Sequence, residues 1–187
     1  MNLANKLTFL RIILIPVMAI LYFIDLPYMP YIAAAIFLIA VITDVLDGNI
    51  ARKYNMVTDF GKFLDPIADK MLNITALLML MWKSDNQSVY SVILTICTII
   101  IVAREFTVTG FRIIAATNNI VIAADKWGKI KTIIQDVAIV FLLIGNWPFS
   151  YIGIPLDYIL LGAATLLTIT SGINYIVKNK AVFSDAK

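Results

Sequence analysis

The amino-acid sequence predicts an all-α integral membrane protein with six transmembrane helices. Of its 187 residues, 61% are hydrophobic and 14% are charged, whereas soluble globular domains are about half apolar and about a quarter charged. The apolar residues also fall into six runs, each close to the roughly 20 residues that a helix needs to cross a bilayer. Because the connections are short, residues 1–187 are expected to form a single membrane domain.

The connections between the runs carry proline, asparagine, glycine or charged residues, which are typical of turns. The first run has no small-residue cleavage site after it, which favours a retained span over a removed signal peptide. The predicted helices occupy residues 7–24, 31–52, 58–82, 88–116, 126–146 and 153–177.

The distribution of lysine and arginine predicts the orientation in the membrane. If both termini are cytoplasmic, the three outer loops hold only Lys83, and the other basic residues near helix ends lie inside, as the positive-inside rule requires. The loop between the second and third helices is then cytoplasmic, and any site formed by the residues around this loop is expected on that face. The net charge of +3 reflects a surface facing anionic lipid and phosphate, not a nucleic-acid-binding surface.

The residue types present restrict the possible chemistry. The chain has no histidine and one cysteine, Cys97, so imidazole catalysis, an intrachain disulfide and a thiolate metal site are all excluded. A metal ion would have to be held by oxygen ligands, which suit Mg²⁺, Mn²⁺ or Ca²⁺.

Four aspartates lie on two stripes of adjacent predicted helices, with residues spaced three or four apart along each stripe. On the second helix the stripe consists of Asp44, Asp47, Gly48, Ala51 and Arg52. On the third helix it consists of Gly61, Asp65 and Asp69. A short loop makes the two helices antiparallel neighbours, so the carboxylates are expected to converge. Their mutual repulsion in a low-dielectric setting is best relieved by divalent cations, which also suit a pyrophosphate substrate.

This segment resembles the signature of the CDP-alcohol phosphatidyltransferase family. That signature is D-x-x-D-G-x-x-A-R, then eight residues, then G-x-x-x-D-x-x-x-D, and every fixed position is matched here. The resemblance implies a membrane enzyme in which a lipid-linked CDP donates its phosphatidyl group to an alcohol, with CMP as the leaving group.

The resemblance also implies roles for individual residues. Two Mg²⁺ or Mn²⁺ ions would be bound by Asp44, Asp47, Asp65 and Asp69, and Asp69 would also act as the catalytic base. The CDP moiety of CDP-diacylglycerol would contact Asn5, Thr8, Asp47, Gly48, Ala51, Arg52 and Gly61, with Arg11 nearby. A homodimer in a bacterial cell membrane is expected from the same resemblance.

The acceptor alcohol must be inferred from the second half of the chain. Arg104 and Arg112 lie within about 80° of each other on the fourth helix, and the fifth opens with Lys126, Lys129 and Lys131. Cations at one membrane face suit an acceptor that carries its own phosphate, although the lysines also satisfy the positive-inside preference.

The segments "ARE" and "GKIKT" resemble the branch of the family that uses glycerol 3-phosphate and yields phosphatidylglycerophosphate. On that basis, the candidates for binding the acceptor phosphate are Arg104, Arg112, Lys129 and Lys131. Glu105 is expected to balance charge rather than to act in catalysis.

Two kinds of alternative stay open. The same chemistry could use inositol phosphate, phosphatidylglycerol or serine as acceptor. A different class is a small cation or proton transporter whose intramembrane aspartates form the ion path. Transporters commonly show internal repeats or interrupted helices, and neither pattern is evident here.

Overall fold

The computed structural model describes residues 3–53, 59–85, 88–117 and 126–178. Within these ranges, the side chains of residues 3–5, 47–53, 59–60, 62–63, 116–117 and 126–127 are not described. Most of the described residues are helical, and none of them lies in a β-strand. They form α1 (Leu3–Phe23), α2 (Met29–Lys53), α3 (Asp59–Lys83), α4 (Val89–Thr117), α5 (Lys126–Leu143) and α6 (Leu156–Lys178), with a 3₁₀ helix at Phe149–Ile152.

Four helices in the described part of the chain, α1, α2, α4 and α6, are long and apolar enough to cross a membrane. This confirms the prediction of an all-helical integral membrane protein. Both remaining helices, α3 and α5, contain several charged residues; α5, for example, carries three lysines and Asp136 within its 18 residues. That all six helices cross the membrane stays a prediction.

The largest differences between predicted and observed helix ends surround the connection from α5 to α6. The predicted end of α5 at residue 146 is wrong, because α5 ends at Leu143. Gly145 and Asn146 have φ values of 64° and 60°, a left-handed conformation that cannot continue a right-handed helix. The Asn146 side chain then donates to the Ile154 carbonyl oxygen at 2.6 Å, which holds together the two ends of this loop.

The predicted start of α6 at residue 153 is also wrong. Gly153 has a φ of 71° and caps the 3₁₀ helix, and α6 begins three residues later at Leu156. At the N-terminus the helix is longer than predicted, since α1 begins at Leu3 and not at residue 7. The prediction followed apolar runs alone, whereas Asn5 and Lys6 are helical as well.

The contacts divide the described chain into two compact units, the first drawn from Met1–Asp85 and Ile139–Pro155. In this unit α1 packs against both α2 and α3. The buried face of α1 repeats at intervals of three and four residues, as expected for one side of a helix. It consists of Thr8, Arg11, Ile15, Met18 and Tyr22. One helix therefore contacts both of the helices that carry the aspartates.

The end of α1 is joined to the end of α3 by a cation. Lys83 donates from Nζ to the Tyr22 carbonyl oxygen at 3.2 Å and lies 3.4 Å from the Asp25 carboxylate. The ammonium group also lies 5.2 Å from the centroid of the Tyr22 ring, within range of a cation–π contact. These contacts fix the end of α3 opposite the aspartate stripe.

The second unit is drawn from Asn86–Ala138 and Leu156–Lys187, and in it α4 packs against α6. The buried face of α6 is unusually small and polar, consisting of Asp157, Leu161, Ala164, Thr165, Thr168, Ser171, Gly172 and Tyr175. Small residues allow helix backbones to approach closely in a membrane. The hydroxyl groups of Thr165 and Thr168 donate to backbone carbonyl oxygens four residues earlier, so they are satisfied within the helix.

Candidate active site

Thr8 on α1 forms a hydrogen bond with the aspartate stripe of α3. The Thr8 Oγ1 donates to Asp65 Oδ1 at 2.6 Å, and Thr8 is 1% exposed. A hydrogen bond from a hydroxyl to a carboxylate is stronger than one between neutral groups. Thr8 therefore holds the Asp65 carboxylate in one orientation.

Arg11, on the next turn of α1, contacts the aspartate stripe of α2. Arg11 Nη1 forms an ion pair with Asp44 Oδ1 at 2.6 Å, and the Arg11 side chain is 0% exposed while that of Asp44 is 37% exposed. The Asp44 and Asp65 carboxylates are also near enough to repel each other electrostatically. Adjacent turns of α1 thus gather two carboxylates, one from α2 and one from α3.

The other predicted residues of the two stripes are described in part. Gly61 is buried and Asp69 is half-buried on α3, one helical turn either side of Asp65. The side chains of the remaining CDP and metal candidates lie outside the described residues, although their backbone is helical in α1 and α2. These candidates are Asn5, Asp47, Gly48, Ala51 and Arg52.

Convergence of all four carboxylates therefore stays a prediction. Among the side chains described, no group of three or more acidic, histidine or cysteine residues is close enough to hold a metal ion. The Asp47 side chain lies outside those described. The donors that the structure does bring together, the Asp44 and Asp65 carboxylates, are hard oxygen ligands of the kind that Mg²⁺ and Mn²⁺ prefer, so the residues present fit such ions.

In the second unit, Glu105 is bound by two of the cations predicted to contact the acceptor. Lys131 on α5 and Arg104 on α4 both donate to Glu105 Oε1, the Arg104 Nη1 from 3.2 Å. The Lys131 and Glu105 side chains are 4% and 16% exposed. A buried lysine without a partner is costly, and the Glu105 carboxylate offsets the charge of Lys131; that Glu105 takes no part in catalysis stays a prediction.

Arg112 is arranged differently from Arg104. Its Nε donates to the Tyr175 hydroxyl oxygen at 3.1 Å, and its guanidinium carbon lies 5.5 Å from the centroid of the Tyr175 ring. Arg112 and Lys129 are both exposed. Of the four predicted acceptor residues, these two are the more accessible to a ligand.

Sequence reasoning missed the residues of α6 that contact these arginines. Ser171 accepts a hydrogen bond from Arg104 Nη2 at 3.1 Å, and Tyr175 accepts one from Arg112. The signal was present in the sequence, because hydroxyl residues recur at positions 165, 168, 171 and 175 in an otherwise apolar run. Such spacing marks one helix face.

The chain is similar to known proteins over nearly its whole length. Residues 1–170 match the family model described as CDP-alcohol phosphatidyltransferase. The chain is 40% identical over 190 residues, covering 95% of each protein, to the CDP-diacylglycerol–glycerol-3-phosphate 3-phosphatidyltransferase of Bacillus subtilis (strain 168).

Proteins of the same name in other bacteria are similar at comparable levels. The one from Rickettsia bellii (strain RML369-C) is 40% identical over 183 residues, covering 97% of each chain. The one from Haemophilus influenzae is 37% identical over 186 residues, covering 98% of this chain and 96% of that protein. The resemblance predicted from the aspartate signature is confirmed, and the chain belongs to the CDP-alcohol phosphatidyltransferase family.

Proposed function

We propose that this protein transfers the phosphatidyl group of CDP-diacylglycerol to sn-glycerol 3-phosphate, giving phosphatidylglycerophosphate and CMP. The observation that carries the proposal is the binding of Asp44 and Asp65 by adjacent turns of α1, at 2.6 Å in each case. Both aspartates belong to the family signature. The choice of acceptor is supported by the names of relatives that are 37% to 40% identical over nearly the whole chain.

The four signature aspartates, Asp44, Asp47, Asp65 and Asp69, are proposed to hold two Mg²⁺ or Mn²⁺ ions. When bound, such ions neutralise pyrophosphate oxygens and stabilise the charge that develops on the leaving group. The chain's own contribution is to orient the carboxylates: Thr8 fixes Asp65, and Arg11 fixes Asp44 and offsets its charge.

Asp69 is proposed to accept the proton of the attacking glycerol hydroxyl. General-base catalysis of this kind contributes typically about 10² to 10⁴ in rate. The position of Asp69, one turn after Asp65 on the same face of α3 and half-buried, is compatible with this role.

The CDP moiety is proposed to contact Thr8 and Gly61, together with Asn5, Asp47, Gly48, Ala51 and Arg52. The Thr8 hydroxyl also donates to Asp65, so the proposed contact would place the nucleotide beside that carboxylate. Gly61 has no side chain of its own to keep a ligand from the helix backbone.

The phosphate of the acceptor is proposed to bind Arg104, Arg112, Lys129 and Lys131. Arg112 and Lys129 are exposed and are accessible to the phosphate. Arg104 and Lys131 are bound to Glu105, so their charge is shared between that carboxylate and the incoming phosphate.

The membrane arrangement is proposed from the sequence. All six helices cross the membrane as one domain, both termini and the active site face the cytoplasm of a bacterial cell, and two chains form a homodimer. The asymmetric distribution of lysine and arginine supports the orientation.

The test is an acceptor panel with purified protein in detergent micelles containing CDP-diacylglycerol and Mg²⁺. We expect CMP release with glycerol 3-phosphate, matched by an equal amount of phosphatidylglycerophosphate, and little release with inositol phosphate, phosphatidylglycerol or serine. Chelation of divalent ions should abolish the reaction, and Mg²⁺ or Mn²⁺ should restore it. CMP release with another acceptor alone would refute the acceptor assignment, and no release with any acceptor would favour the transporter alternative.

Site variants extend the test to the aspartates. Asp69→Asn is expected to lower kcat by at least about 10²-fold. The matched control is Asp25→Asn, because Asp25 lies in the loop after α1 with its side chain 93% exposed. Equal losses in both variants would contradict the catalytic assignment.

A further inference from the structure

One stripe of α6 contacts both of the arginines on α4 that are predicted to bind the acceptor phosphate. The stripe is formed by Ser171, Gly172 and Tyr175, which lie on one face of the helix within about a single turn. All three are buried against α4. Neither the sequence signature nor the predicted acceptor residues include them.

The contact with Arg112 constrains the guanidinium group without using its outer nitrogens. The Tyr175 hydroxyl accepts from Nε at 3.1 Å, and the Tyr175 ring lies beside the guanidinium group at 5.5 Å from its centroid. Among the described residues, no hydrogen bond accompanies Nη1 or Nη2 of Arg112, and these two nitrogens can bind a phosphate through parallel hydrogen bonds.

Tyr175 is itself held rigidly. It is 4% exposed and belongs to a buried cluster with Val108, Phe111 and Ala115. The Phe111 ring packs edge-on against it, with centroids 5.8 Å apart. An exposed arginine loses side-chain entropy when it binds a ligand, and a rigid partner reduces that loss in advance.

Arg104 is positioned by the two other members of the stripe. Its Nη2 donates to Ser171 Oγ at 3.1 Å. A Cβ atom built on Gly172 would lie 3.1 Å from Arg104 Cγ and 3.5 Å from Arg104 Nε, closer than ordinary van der Waals contact in the first case. The missing side chain of Gly172 therefore provides the space through which Arg104 passes.

We propose that Ser171, Gly172 and Tyr175 are positioning residues that set the affinity for the phosphate-bearing acceptor through Arg104 and Arg112. This inference rests on the proposed acceptor role of those arginines. The stripe does not contact substrate; it orients the groups that do.

The first experiment is Tyr175→Phe, which keeps the ring and removes only the hydroxyl that binds Arg112. KM for glycerol 3-phosphate is expected to rise about tenfold, the order of effect of one hydrogen bond to a charged group. KM for CDP-diacylglycerol and kcat should stay within about twofold of wild type, since the change affects acceptor binding alone. A fall in kcat with both KM values unchanged would overturn the proposal.

The matched control is Tyr158→Phe. Tyr158 lies near the start of the same helix and packs against Tyr90, with ring centroids 4.8 Å apart, and no arginine contact accompanies it in the described part of the chain. It tests the loss of a tyrosine hydroxyl from α6, and all three kinetic constants should be unchanged. A rise in the KM for glycerol 3-phosphate equal to that of Tyr175→Phe would show that the effect is structural.

A double-variant cycle separates this inference from the proposed function. Arg112→Met alone should raise the KM for glycerol 3-phosphate, and adding Tyr175→Phe should have no further effect, because the hydroxyl then has no arginine to position. If Arg112→Met leaves that KM unchanged, the acceptor role of Arg112 and the inference both fail. If Arg112→Met raises it and Tyr175→Phe does not, only the inference is overturned.

A second pair of variants tests Gly172. Gly172→Ala is expected to displace Arg104 and raise the KM for glycerol 3-phosphate several-fold, whereas Gly162→Ala serves as its control. A Cβ atom on Gly162, ten residues earlier in α6, would meet nothing within 4 Å. The same kinetic constants in both glycine variants would contradict the role of Gly172.

Discussion

Arg11 on α1 lies 2.6 Å from Asp44 on α2, and its side chain is completely buried. The pair places a permanent positive charge beside an aspartate of the family signature. Arg11 is thus part of the site's electrostatics as well as its packing, because it partly offsets the repulsion between Asp44 and Asp65.

Substituting Arg11 should destabilise the protein in a way that depends on divalent ions. Breaking a buried ion pair costs about 3–5 kcal/mol, but the Asp44 side chain is 37% exposed, so we expect Arg11→Met to lower stability by about 1–3 kcal/mol. Adding Mg²⁺ should reduce this deficit, because a cation bound at Asp44 replaces the lost charge. Thermal unfolding in detergent, with and without Mg²⁺, measures both effects.

The control for this variant is Arg11→Lys, which keeps the positive charge. It should lose less stability than Arg11→Met and respond less to Mg²⁺. A Tm deficit of Arg11→Met that is the same at every Mg²⁺ concentration would show that Arg11 contributes through packing alone.

Thr8→Val should impair the reaction without removing any metal ligand. Valine has nearly the shape of threonine but cannot donate to Asp65, which loses a hydrogen bond of 2.6 Å. A hydrogen bond to a charged group contributes about 1.5–3 kcal/mol, so kcat should fall by about 10- to 100-fold. The rate of CMP release and the Mg²⁺ concentration for half-maximal activity are the measurements.

Thr8→Ser restores the hydroxyl group and should recover most of the activity lost in Thr8→Val. If both variants are equally impaired, the methyl group of Thr8 matters more than its hydrogen bond. The binding of Asp65 from α1 would then not explain the phenotype.

The helices could be predicted from sequence because a membrane imposes a simple requirement on them. Each apolar run must satisfy its own backbone hydrogen bonds, which only a helix achieves within one segment. The ends were harder to predict where polar residues join a helix, as with Lys6 in α1. They were also harder where the chain turns through left-handed residues, as at Asn146 and Gly153, since hydropathy carries no information on φ.

The candidate site was predictable to the extent that it depends on helical spacing. Asp65 and Asp69 lie on one face of α3 because they are four residues apart. The partners of the aspartates were not predictable in the same way, because Thr8 and Asp65 are 57 positions apart in the chain. Their contact follows from the packing of α1 against α3, which no local pattern encodes.

The loop before α6 offers a test of backbone conformation. Gly153 has a φ of 71°, and an L-residue in that region costs roughly 1–2 kcal/mol. Gly153→Ala should therefore lower Tm by a few degrees, whereas Gly162→Ala, in the middle of α6, should raise it slightly because alanine favours helices. Differential scanning calorimetry of both variants distinguishes the two outcomes. Equal shifts in Tm would contradict the assigned conformation at Gly153.

The ion pair between Glu105 and Lys131 predicts a rescue by a second substitution. Lys131 is 4% exposed, so Glu105→Gln leaves a buried cation without its carboxylate and should cost about 3–5 kcal/mol. Replacing the lysine as well, in Glu105→Gln with Lys131→Met, removes the unpaired charge and should recover most of that stability, although the acceptor site loses a cation. Thermal unfolding should therefore rank wild type and the double variant above Glu105→Gln.

KM for glycerol 3-phosphate should be higher in the double variant than in wild type. Stability depends on whether the charge of Lys131 is paired, whereas acceptor binding depends on whether that charge is present. A double variant less stable than Glu105→Gln would show that Lys131 is held by contacts other than its pairing with Glu105.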